Sequence, residues 1–194
     1  MKLKGVRGKL NLFLISFFSL FIFLSSSYSF GSIEDYFPSK PRASASNFGE
    51  TGIYNMPSAR MMEEGSLRFG ISSSFPNEYT TINASPFSWL EASYRYTEIK
   101  NLKYGQEWFS GNQSLKDKSF DAKIRILKES YYLPEISMGL RDLAGTGITA
   151  GEYLVATKKF GMLDATLGIG WGFLGVDQNI NNPFTNLHDT FQER

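Results

Sequence analysis

Charged side chains recur at every second residue in several short segments of the chain. Asp121, Lys123 and Arg125 follow one another at this spacing, and Glu91 and Arg95 lie four residues apart. Because successive side chains of a β-strand point to opposite faces, a period of two places such charges on one face of a sheet. The complete predicted set is Arg68, Glu91, Arg95, Asp121, Lys123, Arg125, Arg141 and Asp164.

Two roles fit a charged face of this kind. The set contains five basic and three acidic residues, so the face could guide an acidic or neutral polysaccharide through hydrogen bonds and weak attraction. Alternatively, the charges pair with one another and hold the fold together as a salt-bridged plug. The residue types leave both interpretations open.

Catalytic chemistry has little support in the sequence. Glu91 and Asp121 could be imagined as a glycosidase pair, since sugar hydrolysis uses two carboxylates about 5 to 10 Å apart, but nothing in their spacing demands it. The chain has no Cys and a single His, His188. This composition argues against cysteine nucleophiles, thiolate metal sites and two-histidine metal sites. We therefore expect no enzymatic activity, no cofactor and no metal.

Two segments are predicted to form turns. The first contains Gly52 and Pro57 and the second contains Gly145 and Gly147; glycine permits a positive φ, and proline fixes the chain direction. In the first segment, Arg60 either contacts an acidic sugar or belongs to a plug that seats the rim of the sheet. The second segment, Arg141–Asp142 with Gly145–Gly147, predicts a tight strand connection held by an Arg–Asp pair. A phosphate-binding loop has little support there, because no lysine and helix start follow. The predicted turn residues are Gly52, Pro57, Arg60, Asp142, Gly145 and Gly147.

Alternating hydrophobicity predicts six to seven β-strands between Ser66 and Gly175. Short turns at Ser130–Glu135 and Phe160–Met162 join neighbouring strands, whereas Glu98–Ser119 is predicted to be a long polar connection. The segments with the alternating pattern are Ser66–Phe75, Trp89–Thr97, Phe120–Leu127, Ile136–Asp142, Glu152–Lys159 and Met162–Gly172.

The start of the chain has the pattern of a cleaved export signal. A basic segment precedes the apolar run Leu10–Leu24, and small residues follow it. We divide the chain into a signal peptide (1–29), a linker with a turn or plug segment (30–64) and β-strands (65–194), with the strand set incomplete at the C-terminus. Without residues 1–29 the chain carries 16 basic and 19 acidic side chains. This balance gives no basic patch for nucleic acid.

The strand pattern fits two all-β folds. One is an antiparallel transmembrane β-barrel, or its amino-terminal portion, because short turns, long polar connections and aromatic residues at strand ends are typical of outer-membrane barrels. The other is a soluble periplasmic β-sandwich that binds a glycan or a protein partner. In a barrel the apolar face contacts lipid, whereas in a sandwich it packs against a second sheet.

Several ordered blocks resemble the YjbH family of bacterial exopolysaccharide-biosynthesis proteins. They comprise Gly49–Arg60, Trp89–Tyr96, Gly139–Gly147, Glu152–Gly161 and Gly168–Gly172, so that the resemblance covers roughly residues 49–175. It implies a non-catalytic outer-membrane β-barrel, porin-like in build, that acts in the production or secretion of exopolysaccharide or capsule. The implied partners are the outer membrane, an extracellular polysaccharide and other secretion proteins.

Two departures from the family pattern shape these expectations. Family members are considerably longer, so we expect this chain to correspond to the amino-terminal part of a larger barrel. Several members carry a lipoprotein cysteine, whereas this chain contains no Cys. We therefore expect no lipid anchor on a cysteine here.

Overall fold

The computed structural model describes residues 44–175, 180–188 and 191. The predicted signal peptide and the first part of the linker, up to residue 43, lie outside the described residues. The fold is all-β, with a seven-stranded antiparallel sheet that curls like half of a barrel. The predictions of fold class and strand number are therefore confirmed.

The strands of the large sheet follow one another in chain order, and each pairs with its sequence neighbours. A separate two-stranded hairpin, β1 (Gly52–Ile53) and β2 (Met56–Pro57), precedes this sheet. β3 and β9 form the two edges of the sheet. Its strands are β3 (Ser66–Ser74), β4 (Asn77–Phe87), β5 (Leu90–Lys103), β6 (Ser114–Leu127), β7 (Glu135–Gly145), β8 (Gly151–Phe160) and β9 (Leu163–Gly170).

The predicted long connection Glu98–Ser119 is wrong in extent. β5 and β6 continue as a paired hairpin, in which Glu98 lies opposite Lys116. Opposite charges on facing residues stabilise a strand pair, so the polar composition of this region does not end the strands. Residues 104–113 form the actual connection, which contains a single helical turn at Glu107–Ser110.

The two faces of the sheet have the reverse of the usual polarity of a soluble protein. On the outer face, Ile71 and Leu167 are 87% and 80% exposed. On the inner face, the side chains of Arg95 and Lys123 are 0% and 1% exposed. We call these the apolar face and the polar face. The alternation in the sequence thus separates oily from ionised residues, and the ionised ones lie inside.

Residues 44–65, which we call the strap, cover the polar face. Gly49 in the strap has a φ of +98°, and a Cβ on it would lie 3.0 Å from Thr81 Cβ in β4. Glycine therefore permits both the turn and the close approach of the strap to the sheet. A small apolar cluster of Ala59, Tyr153 and Val155 fixes the other half of the strap against β8.

The predicted turn around Asp142 and Gly145 differs from the structure, because both residues lie within β7. Asp142 has a φ of +53° and sits opposite a register shift between Phe120 and Ala122. A bulge of this kind turns two consecutive side chains to one face, and both Arg141 and Asp142 are buried. Gly147 lies in the connection to β8, with a φ of +81°.

Two short 3-10 turns, Gly172–Leu174 and Pro183–Asn186, follow β9. Asn182 caps the second turn and donates from Nδ2 to the buried carboxylate of Glu152, at 2.9 Å. In the part of the chain that the structure describes, no helix has the length and apolar character needed to span a membrane.

Candidate functional site

The eight predicted face-lining residues all lie on the strands of the large sheet. Five of them are buried, Arg68 and Arg125 are half-buried, and Asp164 is the most exposed, near one end of β9. The buried residues are Glu91, Arg95, Asp121, Lys123 and Arg141. Each of them contacts either the strap or another charged group on the polar face.

Glu91 and Lys123 form a buried ion pair on neighbouring strands, with Nζ 3.1 Å from Oε2. The strap closes this pair from above. Lys123 also donates to the carbonyls of Thr51, at 3.1 Å, and Arg60, at 2.7 Å. Glu91 accepts hydrogen bonds from both the backbone N–H and the hydroxyl of Thr51 and from the N–H of Met62. Both charges are therefore compensated by groups of the chain itself.

Glu50 of the strap pairs with Arg141 of β7. Arg141 donates from Nη2 and Nε to Glu50 Oε1 and also donates to the Asn55 carbonyl, at 3.0 Å. Burial by itself raises the pKa of a carboxyl group, but the pKa of Glu50 is lowered because the charge and hydrogen bonds of Arg141 outweigh burial. Glu50 is thus ionised inside the fold.

Phe48 lies between two guanidinium groups on the polar face. The Cζ atoms of Arg95 and Arg141 are 4.6 Å and 4.0 Å from the centroid of its ring. The ring also packs against Tyr79, with the centroids 5.4 Å apart. Cations over an aromatic face are attracted by its electron density, so this single apolar side chain anchors the strap in a charged environment.

Arg95 and Asp121 form a second buried pair, with Nε 3.3 Å from Oδ2. The backbone N–H of Asp142, turned inward by the bulge in β7, donates to Asp121 Oδ1 at 2.7 Å. Arg95 also donates to the Thr149 hydroxyl at 2.8 Å. In a regular strand the N–H of Asp142 would bond to the backbone of the neighbouring strand, but the bulge directs it to the carboxylate of Asp121.

Arg60 lies at the end of the strap and is surrounded by carboxylates, which we call the Arg60 cluster. It donates from Nε to Asp164, at 3.0 Å, and from Nη1 to Glu135, at 2.9 Å, and to Glu129. Burial opposes the charge of Arg60, yet these hydrogen bonds raise its pKa. Burial likewise opposes the charge of Glu129, but the N–H of Lys159 and the guanidinium of Arg60 lower the pKa of Glu129.

The two carboxylates that could be imagined as a glycosidase pair, Glu91 and Asp121, are each engaged by other groups. Glu91 is engaged by Lys123 and the strap, and Asp121 by Arg95 and the bulge. Neither carboxylate faces an open space in which a sugar could bind beside it. Among the residues that the structure describes, no three acidic or histidine side chains are arranged to hold a metal ion.

Sequence reasoning missed three residues of this site. Phe48 and Glu50 precede the first strand, and Tyr153 is an aromatic residue on the polar side of β8. A pattern of alternation does not reveal a strap that folds back over the sheet. Glu50 does lie within the block Gly49–Arg60, which was the one available signal for its importance.

These features define a class of all-β protein. Its curled antiparallel sheet has an apolar outer face and a charged inner face, and the strap of the same chain covers the charged face. The chain belongs to the YjbH family. The family model, described as exopolysaccharide biosynthesis protein YbjH, matches residues 44–194, which confirms the resemblance seen in the residues.

The chain is also similar to the uncharacterized lipoprotein YjbH of Escherichia coli (strain K12). The two sequences are 42% identical over 156 residues, which is 80% of this chain and 22% of the relative. The chain thus spans about a fifth of the length of this curated relative. No solved structure matches the chain.

Proposed function

We propose that this chain is part of an outer-membrane β-barrel that acts in the biosynthesis or secretion of an exopolysaccharide or capsule. In this proposal the apolar face contacts lipid and the polar face lines the interior. The protein is exported through its signal peptide and catalyses no reaction. The outer membrane, the polysaccharide and other secretion proteins are its partners.

The reversed polarity of the sheet carries this proposal. Apolar residues of β3, such as Phe69 and Ile71, are 70% and 87% exposed, whereas Arg95 and Glu91 of β5 are buried almost completely. Lipid solvates the first group without cost and cannot solvate the second. A curled sheet that satisfies its charges internally suits a bilayer better than water.

The alternative, a soluble periplasmic β-sandwich, requires a second sheet on the apolar face. In the described ranges 44–175 and 180–188, the additional strands are those of the hairpin β1–β2, which belongs to the strap. The strap contacts Glu91, Lys123 and Arg141, so it covers the polar face. The sandwich interpretation therefore leaves the apolar face without a partner.

The family description supports the link to exopolysaccharide. Direct catalysis has no support in the charged groups, because the pairs Glu91–Lys123 and Arg95–Asp121 are closed by ion pairs and hydrogen bonds. The polar face is suited to contacting a hydrated polymer or to seating the strap. We assign the chain a role in passage or docking.

The first experiment is fractionation of cells that express the chain. We expect it in the outer-membrane fraction, resistant to extraction by carbonate buffer. Migration on a gel before and after boiling then reports whether a closed barrel has formed. In parallel, deletion of the coding sequence is expected to lower the amount of secreted polysaccharide.

Recovery of the chain in the soluble periplasmic fraction would contradict the outer-membrane proposal. Unchanged polysaccharide secretion after deletion would contradict the proposed role. A known outer-membrane barrel and a soluble periplasmic protein, measured in the same fractions, serve as the controls.

A further inference from the structure

The strap offers mainly oxygen acceptors to the cations of the polar face. Arg68, Lys123 and Arg141 each donate to at least one oxygen of the strap. One of these acceptors is a carboxylate and the others are uncharged. The acceptors are the Glu50 carboxylate, the Thr51 hydroxyl and the backbone carbonyls of Gly49, Thr51, Asn55, Ser58 and Arg60.

An acidic polysaccharide presents oxygens of the same two kinds. Each uronate residue carries one carboxylate, and hydroxyl and ring oxygens surround it. Arginine often binds a carboxylate through two parallel N–H groups, one to each oxygen, whereas both Nη2 and Nε of Arg141 donate to the single oxygen Oε1 of Glu50. The acceptors on the strap thus correspond chemically to those of an anionic glycan.

Phe48 of the strap places a six-membered ring, about the size of a sugar ring, against the polar face. It is 1% exposed and packs between the guanidinium groups of Arg95 and Arg141, against Tyr79. Sugar rings pack their C–H faces on aromatic side chains in the same way. If the strap left, Tyr79 and two guanidinium groups would surround a cavity the size of one ring.

The fit between strap and sheet leaves some polar atoms without a hydrogen bond. Within the described residues, these buried atoms include Nη1 of Arg141, Oε2 of Glu50 and Oδ1 of Asn83. A buried polar atom without a hydrogen bond destabilises the arrangement that holds it. A ligand with additional oxygens would satisfy Arg141 better than the strap does.

We propose that the strap is a removable stand-in for an acidic polysaccharide, and that the polar face beneath it binds a uronate-containing glycan when the strap moves away. The binding residues are Arg68, Lys123 and Arg141, with Tyr79 as the aromatic platform. This inference rests on the proposed function and names the substrate class of the same face. At the Arg60 cluster the strap supplies the cation and the rest of the fold supplies the carboxylates. An acidic glycan cannot replace a cation, so this end of the strap stays bound.

The test compares two variants that break the same ion pair. Glu50→Gln weakens the strap and keeps the cations of the sheet, whereas Arg141→Gln removes a cation that the glycan needs. The probe is a fluorescently labelled polygalacturonate oligosaccharide, measured by anisotropy with the chain in detergent micelles. Labelled dextran, a neutral glycan, is the control, and tryptophan fluorescence checks that each variant is folded.

We expect Glu50→Gln to bind polygalacturonate about tenfold more tightly, the factor that 1.4 kcal/mol gives, and Arg141→Gln to bind it less tightly than the unmodified chain. A purely structural ion pair predicts the same direction for both variants. Equal changes in the two variants, or equal binding of polygalacturonate and dextran, would overturn the proposal.

A cross-link tests the movement of the strap without a buried substitution. The hydroxyls of Tyr54 in the strap and Ser74 in β3 are exposed and 2.8 Å apart, and the chain has no Cys. Tyr54→Cys with Ser74→Cys, joined by a short cleavable thiol linker, should abolish binding, and cleavage should restore it. Each single variant, treated alike, is the control.

Binding that survives the cross-link would also overturn this inference. Its failure is distinguishable from failure of the proposed function, because the latter is read from fractionation and polysaccharide secretion. An outer-membrane chain that supports secretion without binding polygalacturonate would retain the proposed function and lose the inference.

Discussion

The ring of Tyr153 lies directly over Gly139, its partner on the neighbouring strand. A Cβ on residue 139 would stand 2.0 Å from Tyr153 Cζ and 2.3 Å from its hydroxyl. The absence of a side chain on β7 therefore creates the space that the tyrosine of β8 fills. Both residues fall within the blocks that resemble the family.

We expect Gly139→Ala to displace this ring and to lower the free energy of unfolding by about 1–3 kcal/mol, the usual cost of overpacking. Urea titration in micelles measures the change. Gly105→Ala is a suitable control, since its Cβ would meet nothing nearer than the flexible Ser110 hydroxyl, at 3.3 Å. Adding Tyr153→Leu should recover part of the loss. Equal effects of Gly139→Ala and Gly105→Ala would contradict this explanation.

Lys123→Met leaves Glu91 buried without its cation. We expect this variant to lose about 3–5 kcal/mol of stability, the general cost of breaking a buried ion pair from one side. The double variant with Glu91→Gln removes the isolated charge and should be more stable than Lys123→Met alone. Urea midpoints of the two variants measure the difference, and a double variant no more stable than Lys123→Met would argue against charge compensation.

Phe48→Ala removes the ring that anchors the strap and leaves a cavity between Arg95 and Arg141. Burial of the ring predicts a loss of about 3–5 kcal/mol. Phe109→Ala is the matched control, because Phe109 is 70% exposed in the β5–β6 connection. Limited proteolysis should also cut the strap faster in Phe48→Ala, and equal cutting rates would mean that the ring is not the anchor.

Acid should weaken the Arg60 cluster. Because the pKa of Glu129 is lower in the folded chain than its ordinary value, the folded state binds this proton less readily than the unfolded state. The contribution of Glu129 to stability is therefore present above about pH 4.3, the ordinary value, and is lost as the pH falls through the folded pKa.

The urea midpoint of the unmodified chain, measured from pH 6 down to pH 3, should therefore fall more steeply than that of Glu129→Gln. Other carboxylates titrate in both proteins, so the difference between the two curves isolates Glu129. Parallel curves would show that Glu129 makes no such contribution.

Leu167→Arg places a charge on the apolar face, where Leu167 is 80% exposed. If that face contacts lipid, the substitution should cost about 2–4 kcal/mol near the middle of the bilayer and reduce the amount of chain in the outer-membrane fraction. Phe109→Arg, in the β5–β6 connection, should have little effect. Normal recovery of Leu167→Arg would contradict a lipid-facing surface.

The sequence predicted the faces of the strands well, because a period of two depends only on local geometry. In β5 and β6 the expected inward residues Glu91, Arg95, Asp121 and Lys123 are all buried. β4 had no such signal, since polar residues such as Thr80 and Thr81 occur on both of its faces. Its strand conformation depends on pairing with β3 and β5.

Local sequence patterns do not predict that the strap covers the polar face. Glu50 and Arg141 are 91 residues apart in the chain, and no periodicity links them. The Asp and Gly residues around Asp142 predict a turn, because these types are typical of turns, but here they occur where a strand changes register. Long-range contacts and irregular strands therefore account for most of what the pattern could not predict.

The strap contacts strands that lie progressively farther along the chain. Its contacts span 40 residues to Glu91 in β5, 72 to Lys123 in β6, 98 to Thr157 in β8 and 104 to Asp164 in β9. Because bringing distant segments together costs more chain entropy than bringing near ones together, we expect the earliest segment of the fold to become fixed last. Arg60 can then bind Asp164 only after β9, the final described strand, has joined the sheet.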